Sequence, residues 1–170
     1  MTQQTLTRLR NLKLTGMADA VHQQLEHAST YEGLPFIERL SLLVEHEQLS
    51  REQRKQARLV KQARLKLQAT VQEVDYQSAR NLERSQVANL AQGEWLRRGQ
   101  NLLITGPCGC GKTYLACALG YQACQQGHST RYYWLPRLLL ELSQAMVDGS
   151  YPRLLGQLAR IEVLLLDDWG

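Results

Sequence analysis

Eight residues, Gly106 to Thr113, constrain the fold of this chain more than any others. They read G-P-C-G-C-G-K-T and fit the pattern G-x-x-x-x-G-K-T, which is the phosphate-binding P-loop. The apolar residues 102–104 precede the loop and predict a buried strand, and residues 115–123 follow it with apolar side chains at helical spacing. In this order of elements a phosphate lies at a helix N-terminus, where free N–H groups and a partial positive charge bind it. The sequence therefore predicts nucleotide binding.

A second signal lies near the end of the chain, where the apolar residues 163–166 run into Asp167 and Asp168. A buried strand that ends in an acid and follows a P-loop is the Walker B pattern, whose acid holds Mg²⁺ beside the P-loop hydroxyl. We assign that role to Asp167. Asp168 is expected to orient the attacking water as a second acid, and the alternative is a solvated acid at the end of a strand.

The two motifs together assign a role to each residue of a nucleotide site. Backbone N–H groups of the loop are expected to cradle the phosphates of ATP, and Lys112 to reach the β- and γ-phosphate oxygens. The hydroxyl of Thr113 binds Mg²⁺, and Asp167 holds that ion through water. Lys112 and Asp168 are the predicted catalytic residues. The predicted nucleotide-binding residues are Gly106, Pro107, Cys108, Gly109, Cys110, Gly111, Lys112 and Thr113.

Composition excludes some classes of protein. The 170 residues are 44% hydrophobic and 21% charged, which is ordinary for a globular protein in water. No apolar run approaches the roughly 20 residues that span a bilayer, and the polar N-terminus lacks the apolar region of a signal peptide. We therefore expect no membrane partner and a cytoplasmic location. The 4 cysteines have no zinc-ligand spacing and are expected to be free thiols, with Cys108 and Cys110 as small fillers of the loop.

Charge is concentrated in one stretch. Between residues 51 and 66 only Glu52 opposes seven basic side chains, which gives the stretch a charge of +6, whereas the whole chain carries +4. The stretch is predicted to be helical, with Leu59, Val60, Ala63 and Leu67 on the packed side. A cationic stripe of this kind is sufficient for contact with the backbone of double-stranded DNA, and the alternative is a solvated helix face. The predicted DNA contacts are Arg51, Arg54, Lys55, Arg58, Lys61, Arg64 and Lys66.

The order of predicted elements gives the domain organisation. Residues 1–69 form a helical, basic, DNA-binding region, residues 70–100 a connector, and residues 101–170 a P-loop ATPase core from Walker A to Walker B. Within the core, a second strand over 131–134 and helices from Pro136 and over 151–159 precede the Walker B strand. Strands that alternate with helices imply a parallel sheet. The predicted fold class is α/β, a P-loop NTPase core behind an all-helical N-terminal region.

Residues around these motifs resemble one family. The stretch Asn101-Leu-Leu-Ile-Thr-Gly-Pro-Cys-Gly-Cys-Gly-Lys-Thr-Tyr-Leu-Ala-Cys-Ala-Leu-Gly is similar to the IstB-like ATP-binding proteins, the helper ATPases of two-gene insertion sequences and relatives of the DnaC helicase loaders. The resemblance covers nearly the whole chain. It extends to Leu14-Thr-Gly-Met-Ala, Gly93-Glu-Trp-Leu, Asp148-Gly-Ser-Tyr and Leu164-Leu-Leu-Asp-Asp-Trp-Gly.

The resemblance implies an AAA+ core, ATP-dependent assembly on DNA, homo-oligomers and stimulation of a separate transposase. It also implies that the family continues past the Walker B strand, where its polar sensor, arginine finger and last strands lie. In the AAA+ strand order 5-1-4-3-2, the P-loop strand pairs with strands 4 and 5, so in this truncated form it is expected to have no neighbour. Because arginine fingers contribute ~10³ or more in rate, we expect weak or absent hydrolysis.

Two alternatives to a transposition helper stay open. The same core serves in replicative helicase loaders of the DnaC type, which bind a helicase rather than a transposase. The chain is alternatively an inactive, truncated remnant that still binds DNA through residues 1–69. A pull-down with a replicative helicase separates the first alternative, and salt-dependent binding by the N-terminal region supports the second.

Overall fold

The fold of residues 2–76 and 82–169 is described by a computed structural model. The chain divides into two compact units, Met1–Lys55 and Gln56–Gly170. The division falls inside the long helix α4 (Phe36–Ala63), whereas the order of predicted elements places a boundary between residues 69 and 70. The reason is packing, because Leu59 and Ala63 at the end of α4 form a buried cluster with Cys124 of the second unit.

Helices build the first unit. They are α1 (Thr2–Asn11), α2 (Thr15–Glu26), α3 (Ala28–Tyr31) and the N-terminal part of α4. A Cβ on Gly16 of α2 would lie 2.7 Å from Cβ of Ser50 and 2.9 Å from the carbonyl oxygen of His46. The backbones of α2 and α4 therefore approach so closely that only glycine fits at this position.

Polar side chains close the same helix crossing. Glu47 is 6% exposed, and its carboxylate accepts hydrogen bonds from the backbone N–H of Met17 at 3.0 Å and from Nε of Arg51 at 2.6 Å. The hydrogen bond from Arg51 holds the pKa of Glu47 below its ordinary value, despite the opposing effect of burial. Nδ1 of His46 lies 2.9 Å from the carbonyl oxygen of Gly16. The crossing thus joins a buried anion to the backbone of a neighbouring helix.

The second unit places helices around a parallel pair of strands. It contains a 3₁₀ turn (Val71–Glu73), α5 (Arg84–Ala91), α6 (Glu94–Arg97), α7 (Lys112–Gln125), β1 (Thr130–Trp134), α8 (Leu135–Asp148), α9 (Tyr151–Leu158) and β2 (Val163–Asp167). The register runs from Thr130 opposite Val163 to Trp134 opposite Asp167. The predicted α/β class with a helical N-terminal region is confirmed.

Helix α7 is the centre of the second unit. Leu115, Cys117, Ala118 and Leu119 are buried in one cluster with residues of α5 and of the segment that follows α4. A Cβ on Gly120 would lie 2.7 Å from Cδ1 of Leu165, so α7 also packs tightly on β2. Burial on several sides fixes the start of α7 relative to the end of β2, which are the two parts that the sequence assigned to the nucleotide site.

The predicted strand over residues 102–104 is not formed. Leu103 is 81% exposed, although Ile104 still packs against the main cluster. A strand needs a neighbour to accept its backbone hydrogen bonds, and in the described part of the chain β1 and β2 pair with each other. The segment therefore lies outside the sheet.

Two predicted helical faces are also wrong. Helix α4 ends at Ala63 instead of continuing past Lys66, because Arg64 takes a left-handed backbone conformation with φ 48°. Leu67, predicted to pack beside Leu59, is exposed as a result. Apolar spacing also predicts a packed face of α8 with Leu138, Leu139, Leu142 and Met146, but Leu139 and Met146 are exposed while Leu138 is buried. Phe36 and Ile37 at the start of α4, which the same kind of spacing predicts to pack, are exposed as well. Spacing alone did not identify which apolar side chains have a packing partner.

Across residues 2–76 and 82–169, no helix combines the length and the apolar character that crossing a membrane requires.

Candidate nucleotide site

The P-loop ends in a left-handed glycine. Gly111 has φ 93° and stands at the N-terminal boundary of α7, and Gly109 has φ 76° two residues earlier. Residues other than glycine rarely adopt this conformation. The glycines of the motif therefore stand where the backbone of the loop must turn. The path turns the chain from residues 102–104 directly into the first turn of α7.

The first turn of α7 provides backbone donors. No side chain of the described residues caps this helix end, and its first turn contains no acidic residue. The ammonium of Lys112 donates to the carbonyl oxygens of Gly106 and Pro107, each at 2.8 Å, and so lies over the loop. Free N–H groups, the positive end of a 14-residue helix and an adjacent ammonium are the donor set that a phosphate chain requires.

The hydroxyl of Thr113 meets the carboxylate of Asp167. Thr113 is the second residue of α7, Asp167 is the last residue of β2, and Oγ1 lies 3.0 Å from Oδ1 and 3.1 Å from Oδ2. A hydroxyl and a carboxylate are oxygen ligands of the type that Mg²⁺ prefers. The chemistry of this donor set therefore fits a magnesium nucleotide.

Two further side chains contact Asp167, and neither sequence motif predicts them at this site. The hydroxyl of Tyr132 donates to Oδ2 at 2.7 Å, and Nζ of Lys66 lies 3.4 Å from the same oxygen. The signal for Tyr132 was its place on the strand beside the Walker B strand, two residues before its end. The charge run predicts Lys66 as a DNA contact. The sequence offers no signal for its contact with Asp167, which lies far from it in the chain.

Hydrogen bonding determines the charge of the site. Burial favours the neutral form of Asp167, but hydrogen bonds from Tyr132, Thr113 and Lys66 outweigh it and hold the pKa of this carboxyl below its ordinary value. Burial and the Asp167 carboxylate raise the pKa of Tyr132 far above its ordinary value. Asp167 is therefore an anion at neutral pH, and Tyr132 is a neutral donor.

Asp168 follows β2 in a left-handed conformation. Its φ is 66°, and its Oδ2 accepts a hydrogen bond from Nε1 of Trp134 at 2.9 Å. Tyr132 and Trp134 thus lie at alternate positions of β1 and each donates to one of the paired acids. The indole fixes the side chain of Asp168, and among the described residues Asp168 forms no hydrogen bond or ion pair with Thr113 or Lys112. Gly170, the last residue of the D-D-W-G sequence, lies outside the described residues.

The predicted DNA contacts have different environments. In the first unit, Arg51 and Arg54 lie 2.6 Å and 3.5 Å from Oε1 of the buried Glu47, so this acid offsets part of their charge. A smaller set is exposed and has no ion pair with any residue in the described ranges. It comprises Lys55, Arg58, Lys61 and Arg64.

The four thiols also differ. Cys108 is exposed and Cys110 is half-buried in the P-loop, whereas Cys117 and Cys124 are buried in α7. Burial raises the pKa of both buried thiols, which keeps them protonated and unreactive. A Cβ on Gly106 would lie 3.0 Å from Sγ of Cys110, so this thiol fills space inside the loop.

Comparisons with known proteins agree with the geometry. Residues 7–170 match the family described as IstB-like ATP binding protein. The chain is 48% identical over 171 residues to the "Insertion sequence IS1162 putative ATP-binding protein" of Pseudomonas fluorescens. This alignment covers 100% of this chain and 74% of that protein. It is also 42% identical over 166 residues to the "Putative insertion sequence ATP-binding protein y4pL" of Sinorhizobium fredii. That alignment covers 98% of this chain and 67% of the relative.

Proposed function

The chain belongs to the IstB-like ATP-binding proteins of insertion sequences, and we propose that it binds ATP with Mg²⁺ and acts on DNA as a helper of transposition. The observation that carries the nucleotide part is the contact between Thr113 and Asp167, at 3.0 Å and 3.1 Å. This contact joins the two motifs that share a magnesium ion in P-loop NTPases. It lies directly beside the uncapped first turn of α7.

Each residue has a defined task in this proposal. The backbone N–H groups at the start of α7 bind the phosphates, and Lys112 exchanges its loop carbonyls for phosphate oxygens. Thr113 and Asp167 hold the magnesium ion, which neutralises phosphate charge when it is bound. Tyr132 and Trp134 hold the two acids in position, and Asp168 is the candidate for orienting water.

Support for the DNA part comes from charge and from family. The exposed cations Lys55, Arg58, Lys61 and Arg64 form no ion pair with a residue of the described ranges, so their charge is available to a phosphate backbone. The two relatives at 48% and 42% identity bear names that associate them with insertion sequences. We propose double-stranded DNA as the partner of these cations and a separate transposase as the protein that the complex stimulates.

The nucleotide part is tested by titrating the purified chain with a fluorescent ATP analogue and Mg²⁺. We expect saturable binding that weakens roughly tenfold to a hundredfold in Lys112→Ala, because a charged hydrogen bond contributes about 1.5–3 kcal/mol. Lys13→Ala removes the same side chain from the turn between α1 and α2 and serves as the matched control. Equal binding by all three proteins contradicts the proposed site.

A further inference from the structure

Lys66 lies at the nucleotide site although its sequence neighbours belong to the basic helix. Its Nζ is 3.4 Å from Oδ2 of Asp167, the oxygen that also accepts from Tyr132 at 2.7 Å and from Thr113 at 3.1 Å. The Lys66 side chain is 54% exposed and that of Asp167 is 20% exposed. One partly buried carboxylate oxygen therefore serves a hydroxyl, a phenol and an ammonium.

The packing of its neighbours fixes the position of Lys66. The left-handed conformation of Arg64 ends α4, and Leu65 then packs against both buried clusters of the second unit. The backbone at residues 66 and 67 lies against the buried thiol of Cys117 in α7. The lysine is thus brought to Asp167 by a segment that is anchored on either side of it.

The Asp167 carboxylate suits two different cations, the Lys66 ammonium that contacts it and a magnesium ion. Mg²⁺ takes carboxylate oxygens as ligands, and the Asp167 carboxylate is the acid that the Walker B pattern assigns to it. Like charges close to one anion repel each other, so a bound ion and the Lys66 ammonium stabilise Asp167 in turn rather than together. This competition needs no residue other than those already in contact.

We propose that Lys66 is a residue of the nucleotide site whose ammonium competes with Mg²⁺ for Asp167, so that binding of magnesium nucleotide releases the Lys66 side chain from Asp167 and loosens the backbone of residues 64–68 between its packed neighbours. The inference rests on the proposed binding of ATP with Mg²⁺ at this site. It assigns Lys66 to the nucleotide rather than to DNA, and it makes residues 64–67 the connection between the phosphate site and the end of the basic helix.

The test compares nucleotide affinity with Mg²⁺ and with EDTA, using a fluorescent ATP analogue on the full chain. The ratio of the two affinities is the magnesium advantage. Lys66→Gln is expected to raise this ratio about fivefold, since a half-exposed ion pair contributes about 1 kcal/mol. Lys66→Arg keeps the charge and is expected to resemble the wild type. Lys13→Gln removes an equal charge elsewhere and is expected to do the same.

Hydrogen exchange gives a second readout that does not depend on affinity. In the wild type, magnesium nucleotide is expected to speed the exchange of backbone amides in residues 64–68. In Lys66→Gln the same amides are expected to exchange fast without nucleotide and to change little when it is added. Thermal unfolding of each variant establishes that the chain is folded.

The outcomes are distinguishable. A raised magnesium advantage in Lys66→Gln alone, together with the exchange result, supports the competition. An unchanged ratio overturns it, and so does an equal loss of affinity in Mg²⁺ and EDTA, which assigns Lys66 to direct phosphate contact. If the wild type itself binds no nucleotide, or binds as well after Lys112→Ala, the proposed function fails rather than this inference.

Discussion

The sequence predicts a function both for the P-loop and for the basic stretch of residues 51–66. The structure shows that the residues of one region share a site, whereas those of the other have different partners. Of the P-loop residues, Thr113 contacts Asp167 and Lys112 lies over the loop. The basic residues separate into three groups. Arg51 and Arg54 lie against Glu47, Lys66 lies against Asp167, and the remaining four are exposed without an ion pair in the described ranges.

The difference follows from how much each pattern specifies. A P-loop motif fixes backbone conformation through its glycines and chemistry through its lysine and hydroxyl, so few other arrangements satisfy it. A charge run fixes only composition. Its meaning depends on acids outside the run, such as Glu47 four residues before Arg51, which is one helical turn away. Counting that neighbour would have separated Arg51 from the other cations.

The largest expected effect concerns the paired acids. Asp167→Asn removes the charge beside Thr113 and is expected to reduce magnesium-dependent nucleotide affinity roughly tenfold to a hundredfold. Asp168→Asn, whose partner is the exposed Trp134, is expected to change that affinity less than about threefold. Titration with a fluorescent ATP analogue in Mg²⁺ measures both. A larger loss in Asp168→Asn would exchange the roles of the two acids.

Sequence predicted the elements that carry the two motifs better than it predicted which side chains are packed or exposed. The P-loop, the Walker B strand and β1 are formed because their residue types meet strict backbone requirements. The strand over 102–104 is not formed, since pairing depends on a neighbour that its own residues do not specify. The contacts of Lys66 and Tyr132 with Asp167 join segments far apart in the chain, so only tertiary packing reveals them.

The next effect compares helix packing in the two units. Gly16→Ala is expected to lower the free energy of unfolding by about 1–3 kcal/mol, because the new Cβ meets the backbone of His46 and Glu47. Gly120→Ala is expected to cost less, since its near neighbours are the flexible ends of Leu165 and Leu65. Gly156, with open space around its Cβ position, is the control, and alanine there is expected to stabilise α9 by roughly 0.5–1 kcal/mol. Urea unfolding measures all three, and an equal cost at Gly16 and Gly120 would contradict the difference.

A smaller effect is expected on DNA binding, and it differs between the basic residues with an ion pair and those without one in the described ranges. The double substitution Arg58→Gln with Lys61→Gln is expected to weaken binding to double-stranded DNA several-fold. It should also reduce the dependence of log affinity on log salt by roughly 2, because each phosphate contact contributes about 0.9 to that slope. Arg51→Gln with Arg54→Gln is expected to change the slope less, because Glu47 already offsets their charge. Fluorescence anisotropy over a salt series measures the slope for both double variants. Equal reductions of the slope would indicate that Arg51 and Arg54 contact DNA as Arg58 and Lys61 do.

The smallest effect concerns two carboxylates that bind backbone N–H groups, one in each unit. Glu47 accepts from Met17 while buried, and Glu162 accepts from Ser129 at 2.7 Å while 55% exposed. The hydrogen bond from Arg51 lowers the pKa of Glu47, and that from the Ser129 backbone lowers the pKa of Glu162, both from an ordinary value of 4.5. Each carboxylate therefore adds stability that is fully present above pH 4.5 and is lost as pH falls through its lowered pKa.

Melting temperatures between pH 7 and pH 3 test this comparison. The wild type is expected to lose stability below about pH 4.5, and Glu47→Gln is expected to remove more of that loss than Glu162→Gln. The reason is screening, because water weakens the interactions of the exposed Glu162 more than those of the buried Glu47. If Glu162→Gln instead reduces the fall in melting temperature at acid pH more than Glu47→Gln does, the prediction is wrong. The link between the starts of β1 and β2 then contributes more to stability than the helix crossing of the first unit.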